Sequence, residues 1–184
     1  MSKSEEERVR TVKIAIDLIL VCLLLAGICY ASSQPYEKQD IRKPIEQHLG
    51  GGLLEQQLDG LSFQYAGKEL NMQTVGFAAL VEFFIRKGTH FLTFALLALL
   101  VYRFLRNLCT PAVAIPWSGL ISLFAAVLDE WHQTHTPHRT GMLVDVLLDA
   151  AGIFTALLGI VLLAVLFRSS HSPTRWHHRR EQRF

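Results

Sequence analysis

Leu157–Phe167, LLGIVLLAVLF, runs eleven residues without one polar side chain. A helix that is apolar on every face is either buried in a large protein or spans a membrane. Working outward, the apolar run extends from Met142 to Phe167, with Asp145 and Asp149 near its start. Three further runs precede it. Val12 to Tyr30 holds Asp17, Thr89 to Leu108 has Phe91–Tyr102 as its core, and Ala112 to Leu128 follows. Each approaches the roughly 20 residues that a membrane-crossing helix needs. In lipid the backbone must satisfy its own hydrogen bonds, so these runs read as helices rather than open strands. The first run is longer than the roughly 7 to 15 residues of a signal-peptide core. It is therefore read as a retained helix, although the small residues Ala31, Ser32 and Ser33 follow it. The competing reading is a soluble bundle of buried helices, and Leu157–Phe167 argues against it.

Whole-chain averages are less informative. The chain has 184 residues, 51% of them hydrophobic and 18% charged, with a net charge of +2. Its mean hydropathy is +0.28. These values exclude a disordered chain. Three cysteines exclude a disulfide scaffold. The small net charge leaves no strong electrostatic footprint for nucleic acid.

The distribution of charge orients the helices. The N-terminal segment carries Lys3, Arg8, Arg10 and Lys13, the short second loop Arg103 and Arg106, and the C-terminal tail five arginines. The third loop has only Arg139. Four helices with both termini cytoplasmic fit the positive-inside pattern. The near-neutral total then divides into 11 basic and 4 acidic residues inside against 7 and 11 outside, with Asp17 within the first helix. A lone Asp17 about one turn deep is read as snorkelling to the inner interface. Trp176–Arg180 in the tail reads as a polybasic lipid anchor or as a plain positive-inside determinant.

The first outer loop, about residues 32–82, has internal pattern. Ile41, Ile45 and Leu49 recur at four-residue spacing and predict a short amphipathic helix from near Asp40, ended by Gly50–Gly52. Leu61, Phe63 and Tyr65 alternate, and Ala66-Gly67-Lys68 can turn into a second strand through Asn71. Val75–Ile85 is apolar and leads helically into the second span. The loop is expected to lie on the outer leaflet rather than form a separate domain.

Ionisable side chains at membrane depth are costly and tend to mark function. Here they collect at one end: Arg86, Lys87 and His90 begin the second helix, Asp129, Glu130 and Gln133 end the third, Arg139 lies in the loop, and Asp145 and Asp149 begin the fourth. Lys87 and His90 share a helical face, as do Asp129 and Gln133, and Asp145 and Asp149. Arg86, Lys87 and Arg139 are expected to pair with the four acids. Arginine forks also suit carboxylate or phosphate. The set reads either as a polar cavity for an anionic lipid head group, a lipid-linked precursor or an amphiphile, or as a salt-bridge network holding the bundle in register. For acid/base chemistry the candidates are Glu130, Asp145 and His90, with no clear nucleophile beside them. His132, His135 and His138 form a His-x-x-His-x-x-His run that could ligate zinc with Asp129 or Glu130. Pro137 breaks their helical face. They are read as loop histidines, and neither a metal nor a cofactor is assigned.

These residues resemble the VanZ-like family of bacterial membrane proteins. The resemblance runs through Ser32-Ser33-Gln34, Arg86-Lys87-x-x-His90-Phe91, Asp129-Glu130-x-x-Gln133, Pro137-x-Arg139 and Asp145-Val146-x-x-Asp149-x-x-Gly152. It covers most of the chain outside the loop 36–75 and the tails. The chain carries His138 where the family commonly has glycine, and Asp149 where it commonly has asparagine, which adds a negative charge. The resemblance implies a small multi-helix integral membrane protein. It also implies a cellular context more than a reaction: the family name comes from a member linked to resistance to the lipoglycopeptide teicoplanin.

The expectation is an all-α integral membrane bundle of four transmembrane helices, at about 12–31, 88–108, 112–132 and 142–167. A long outer loop at 32–82 holds a short helix and a candidate small hairpin, and a basic cytoplasmic tail occupies 168–184. The whole chain forms one VanZ-like domain. It is expected in the bacterial cytoplasmic membrane, binding a lipid-linked or lipid-like ligand at an outward-facing polar cavity. A link to teicoplanin-type glycopeptide resistance goes with that reading. The alternatives are a membrane-embedded enzyme acting on a lipid head group, with Glu130 or Asp145 as base and Arg139 on phosphate, and an assembly partner of other envelope proteins. Membrane lipids are the implied partners, with a lipid-linked envelope precursor or a lipoglycopeptide as specific candidates and no nucleic acid. The oligomeric state is open.

Overall fold

The computed structural model describes residues 2–137, 139 and 141–169. His138 and most of the basic tail lie outside the described residues. In chain order the elements are α1 (Lys3–Ser32), a 3-10 turn (Tyr36–Gln39), α2 (Arg42–Leu49), α3 (Leu53–Leu58), β1 (Ser62–Tyr65), β2 (Lys68–Asn71), α4 (Met72–Val75), α5 (Phe77–Arg106), α6 (Pro111–Gln133) and α7 (Leu143–Ser169). Four helices are long and apolar enough to cross a membrane: Ser4–Ser32, Phe77–Arg106, Pro111–Gln133 and Leu143–Phe167. Their outward faces are apolar. Leu120, Phe124, Leu147, Phe154, Leu162 and Val165 are all exposed, as lipid-facing side chains are and those of a water-soluble bundle are not. The chain is an all-α, multi-pass membrane protein with a small two-stranded sheet in its first loop.

α5 is the central helix, packed against α7, α6 and α1. Phe94, Leu97, Ala98 and Val101 of α5 form the bundle core with Ala126 of α6 and Ile153 of α7. Small residues set the helix spacing. Ala114, Ser118, Ser122 and Ala126 recur every four residues on α6 and are fully buried, the pattern that lets helix backbones approach closely in lipid. Gly152 lies against α5, where an added Cβ would strike the Phe91 carbonyl oxygen.

Two boundaries differ from the sequence reading. α1 begins at Lys3 rather than near residue 12. α5 begins at Phe77 rather than near residue 88 and runs 30 residues. At 1.5 Å per residue α5 is about 45 Å long, well beyond the roughly 30 Å hydrocarbon layer. Its first turns therefore carry the loop. Ile45 of α2 is buried against Phe77 and Val81, with Ile41, Leu58 and Met72 around them. The loop accordingly packs on the first turns of α5. Leu49, the third member of the predicted apolar stripe, is exposed.

The hairpin forms as the alternation indicated. β1 and β2 are antiparallel, with Tyr65 opposite Lys68. Ala66 and Gly67 between them both have positive φ, 50° and 77°, the backbone that a two-residue hairpin turn needs. Phe63 and Tyr65 point onto α5, where Phe63 contacts Phe83 and Phe84 and Tyr65 meets Phe83 edge-on.

Candidate functional site: a polar cleft where four helices meet

The end of α1, the middle of α5, the end of α6 and the start of α7 converge at one level. Between them lies a cleft of about 340 Å³ whose lining includes Arg86, Lys87, His90, Gln133, Arg139 and Asp145. Six of the nine residues singled out from the sequence thus share one cavity. Asp129, Glu130 and Asp149 are buried beside it, at 6%, 4% and 0% exposure. A smaller niche of about 90 Å³ adjoins the cleft, sharing Ala31, Ser32, Thr89 and His90 and adding Ile28, Thr93, Phe94 and Asp129.

Only one of the expected ion pairs forms. Lys87 Nζ lies 2.5 Å from Asp145 Oδ1, and the same oxygen accepts a hydrogen bond from the Tyr65 hydroxyl. Burial, and next the hydrogen bond to Asp145, push the Tyr65 phenol well above its ordinary value. Lys87 also sits 4.9 Å from the Tyr65 ring centre. Arg86 pairs instead with Glu82, at 3.2 Å and one helical turn away, and donates to the Gln39 carbonyl at 3.1 Å. Arg139 donates to Gln39 Oε1 and makes none of the expected ion pairs. Its Nε is buried without a partner. Burial, and next the nearby Arg86 guanidinium, make Arg139 a weaker base than usual. Asp129 pairs with neutral groups: Ser32 Oγ donates to Oδ1 and Gln133 Nε2 to Oδ2 at 2.9 Å.

The deepest layer is different. Glu130 Oε2 accepts the Met142 backbone N–H at 3.0 Å, while Oε1 is buried and unpartnered. Gly141 makes this possible, because a Cβ there would strike the Glu130 carbonyl oxygen. His90 Nδ1 lies 3.5 Å from Asp149 Oδ1, an ion-pair distance without hydrogen-bond alignment. Neither Asp149 oxygen nor His90 Nδ1 has a hydrogen-bond partner.

The histidine run does not converge among the described residues. His132 Nε2 lies 3.4 Å from Ser33 Oγ, and His135 is exposed against Trp131. Four positions in contact with the cleft residues were not singled out from the sequence. Glu82 is 3% exposed and accepts from Tyr36 at 2.7 Å as well as from Arg86. Its spacing to Arg86 was the available signal. Gln39 joins the α1 end, α5 and the third loop through Ala31, Arg86 and Arg139. Tyr36 and Tyr65 reach the site from the loop. No sequence spacing announces these contacts, which join residues tens of positions apart.

This arrangement defines a class: a multi-pass helical membrane protein whose ionisable residues surround a cleft at one end of the bundle. The sequence model of the VanZ/LLP1 family matches residues 18–180, which is most of the chain, and the protein belongs to that family. No curated protein and no solved structure matches the chain.

Proposed function

We propose that this VanZ/LLP1 protein resides in the bacterial cytoplasmic membrane with both termini cytoplasmic. Its cleft then faces outward and binds the anionic head group of a lipid-linked or lipid-like ligand. The observation that carries the reading is the pairing of two cavities. Arg86, Lys87 and Arg139 line a cleft of head-group size, and a small niche with Ile28, Ala31 and Phe94 on its apolar side adjoins it. An amphiphile fits that combination, since small-molecule sites are concave and apolar with a few placed polar groups. In the teicoplanin context that the family resemblance supplies, holding a lipid anchor here reduces access of a lipid-anchored glycopeptide to its target. The basic terminal segments support the orientation.

Native mass spectrometry of the protein with phosphatidylglycerol and with phosphatidylcholine tests the reading. Preferential retention of phosphatidylglycerol, lost in Arg139→Gln, is expected. Equal retention of both lipids contradicts it. A cysteine at His135 should label with an impermeant reagent on intact cells, and absence of labelling reverses the orientation.

A second reading is a membrane-embedded enzyme acting on a lipid head group. What favours it is the half-buried His90 set with the buried Glu130 and Asp149 against the cleft. Glu130→Gln then abolishes turnover of an envelope lipid while binding persists. Binding without any product favours the first reading.

A further inference from the structure

Beside the cleft, three helices direct polar atoms that lack hydrogen bonds to one point, His90 Nδ1 and Asp149 Oδ1 facing each other at 3.5 Å. His90 Nδ1 comes from α5, Glu130 Oε1 from α6, and Asp149 Oδ1 and Oδ2 from α7. All four atoms are buried without a hydrogen bond. One ligand atom from each residue lies within 4.8 Å of the others. Buried polar atoms are nearly always partnered, and buried charges are paired or bind metals. Of the cations nearby, Lys87 pairs with Asp145 and Arg86 with Glu82, while Arg139 donates only to the neutral Gln39 side chain and makes no ion pair with either acid. Glu130 and Asp149 thus share the site with one imidazole.

We propose that His90, Glu130 and Asp149 form a binding site for a divalent transition-metal ion. One imidazole nitrogen and two carboxylates are a mixed donor set. Imidazole suits zinc and its neighbours, while calcium and magnesium prefer oxygen alone and copper(I) prefers sulfur. A dication also neutralises both carboxylates at once, whereas a monovalent partner leaves one charge uncompensated. Ligands about 2.1 Å from a tetrahedral ion stand roughly 3.4 Å apart; His90 Nδ1 and Asp149 Oδ1 already stand 3.5 Å apart, so the closure around an ion falls mainly on Glu130. Three protein ligands leave an open position, as in metal sites that engage water or substrate. His90 is the ligand that lines the cleft. The proposal does not rest on lipid binding, since an ion occupies the site whether or not a head group follows.

The test uses tag-free, full-length protein in lipid nanodiscs, with His177→Ala and His178→Ala removing competing imidazoles. Zinc retained after equilibrium dialysis is measured by elemental analysis. One zinc per chain is expected. Asp149→Asn and Glu130→Gln should each weaken binding by roughly tenfold or more, since even losing an outer-shell partner costs about that much. His135→Ala should bind normally. Cobalt(II) added to the parent protein should give the visible absorption of a low-coordinate site, a readout needing no further variant. Zinc well below one per chain, full binding in both carboxylate variants, or an unchanged hexa-aqua cobalt spectrum overturns the proposal.

Discussion

The two ends of the bundle both bury acidic side chains, and they treat them in opposite ways. Asp17 on α1 is 4% exposed. Its Oδ1 receives Arg103 at 2.5 Å and its Oδ2 receives Asn107 at 2.9 Å. Arg10 adds hydrogen bonds to the Asn107 carbonyl. Asp17 does not snorkel. It ties α1 to the last turn of α5, and both of its oxygens are satisfied. At the opposite end Glu130, Asp149, His90 and Arg139 keep buried polar atoms with no partner. A satisfied buried charge holds helices in register, which is a structural role. An unsatisfied one is retained against its desolvation cost, which points to a ligand.

That contrast can be broken by substitution. The largest effect is expected from Arg103→Ala, which leaves the Asp17 carboxylate buried with only Asn107. Losing one partner of such a pair costs about 3 kcal/mol, read as a lower melting temperature in nanodiscs. Asp17→Leu should cost less, because the Arg103 side chain is 56% exposed and regains water. Equal losses in the two variants would show that the pair is not asymmetric in this way. Next comes Gly152→Ala, which forces α7 away from the Phe91 carbonyl. Overpacking of this kind costs about 1–3 kcal/mol, and an unchanged melting temperature would place the two helices further apart than described here.

Asp149→Asn probes the other end. In metal-free protein it gives up the 3.5 Å contact of the carboxylate with His90 but relieves a fully buried group whose oxygens have no hydrogen bond, so the melting temperature should change little, as at sites where function is kept at a cost to stability. A fall comparable to Arg103→Ala would make the cleft end a salt-bridge knot like its counterpart. The smallest effect is expected from Tyr65. Its phenol ionises above the ordinary value, so the stability it contributes is fully present below about pH 10 and lost only as pH rises through its folded-state value. Tyr65→Phe should lower stability by about 1 kcal/mol at neutral pH and remove the late component of an alkaline absorbance titration at the tyrosinate band. Loss of an early component instead would mean that Asp145 does not hold the hydroxyl.

The sequence reveals most where one physical demand dominates. Lipid requires about 20 apolar residues per crossing, so the four helices can be read from runs such as Leu157–Phe167. The helical lead-in over Val75–Ile85 was legible too, and α5 begins at Phe77; what the sequence left unstated is that it joins the span without a break across Arg86 and Lys87, where Glu82 neutralises Arg86 and the loop buries Phe77 and Val81. The helices α3 and α4 are too short, at 6 and 4 residues, for periodicity to register. Within the site, spacing identified which residues share a face, including Asp129 with Gln133. It could not identify partners across helices. Ser32 on Asp129, Tyr65 on Asp145 and Gln39 on Arg139 depend on packing between distant segments, and opposite charge alone had suggested pairs that do not form.

The most direct test of the contrast is the affinity of a fluorescent phosphatidylglycerol for the Lys87→Gln/Arg139→Gln double variant, measured beside Arg103→Ala in the same nanodiscs. The expected result is a loss of roughly tenfold or more in the double variant, as about 1.4 kcal/mol of lost head-group contact gives, with Arg103→Ala binding as tightly as the parent. Unchanged affinity in the double variant, or an equal loss in both, would contradict it.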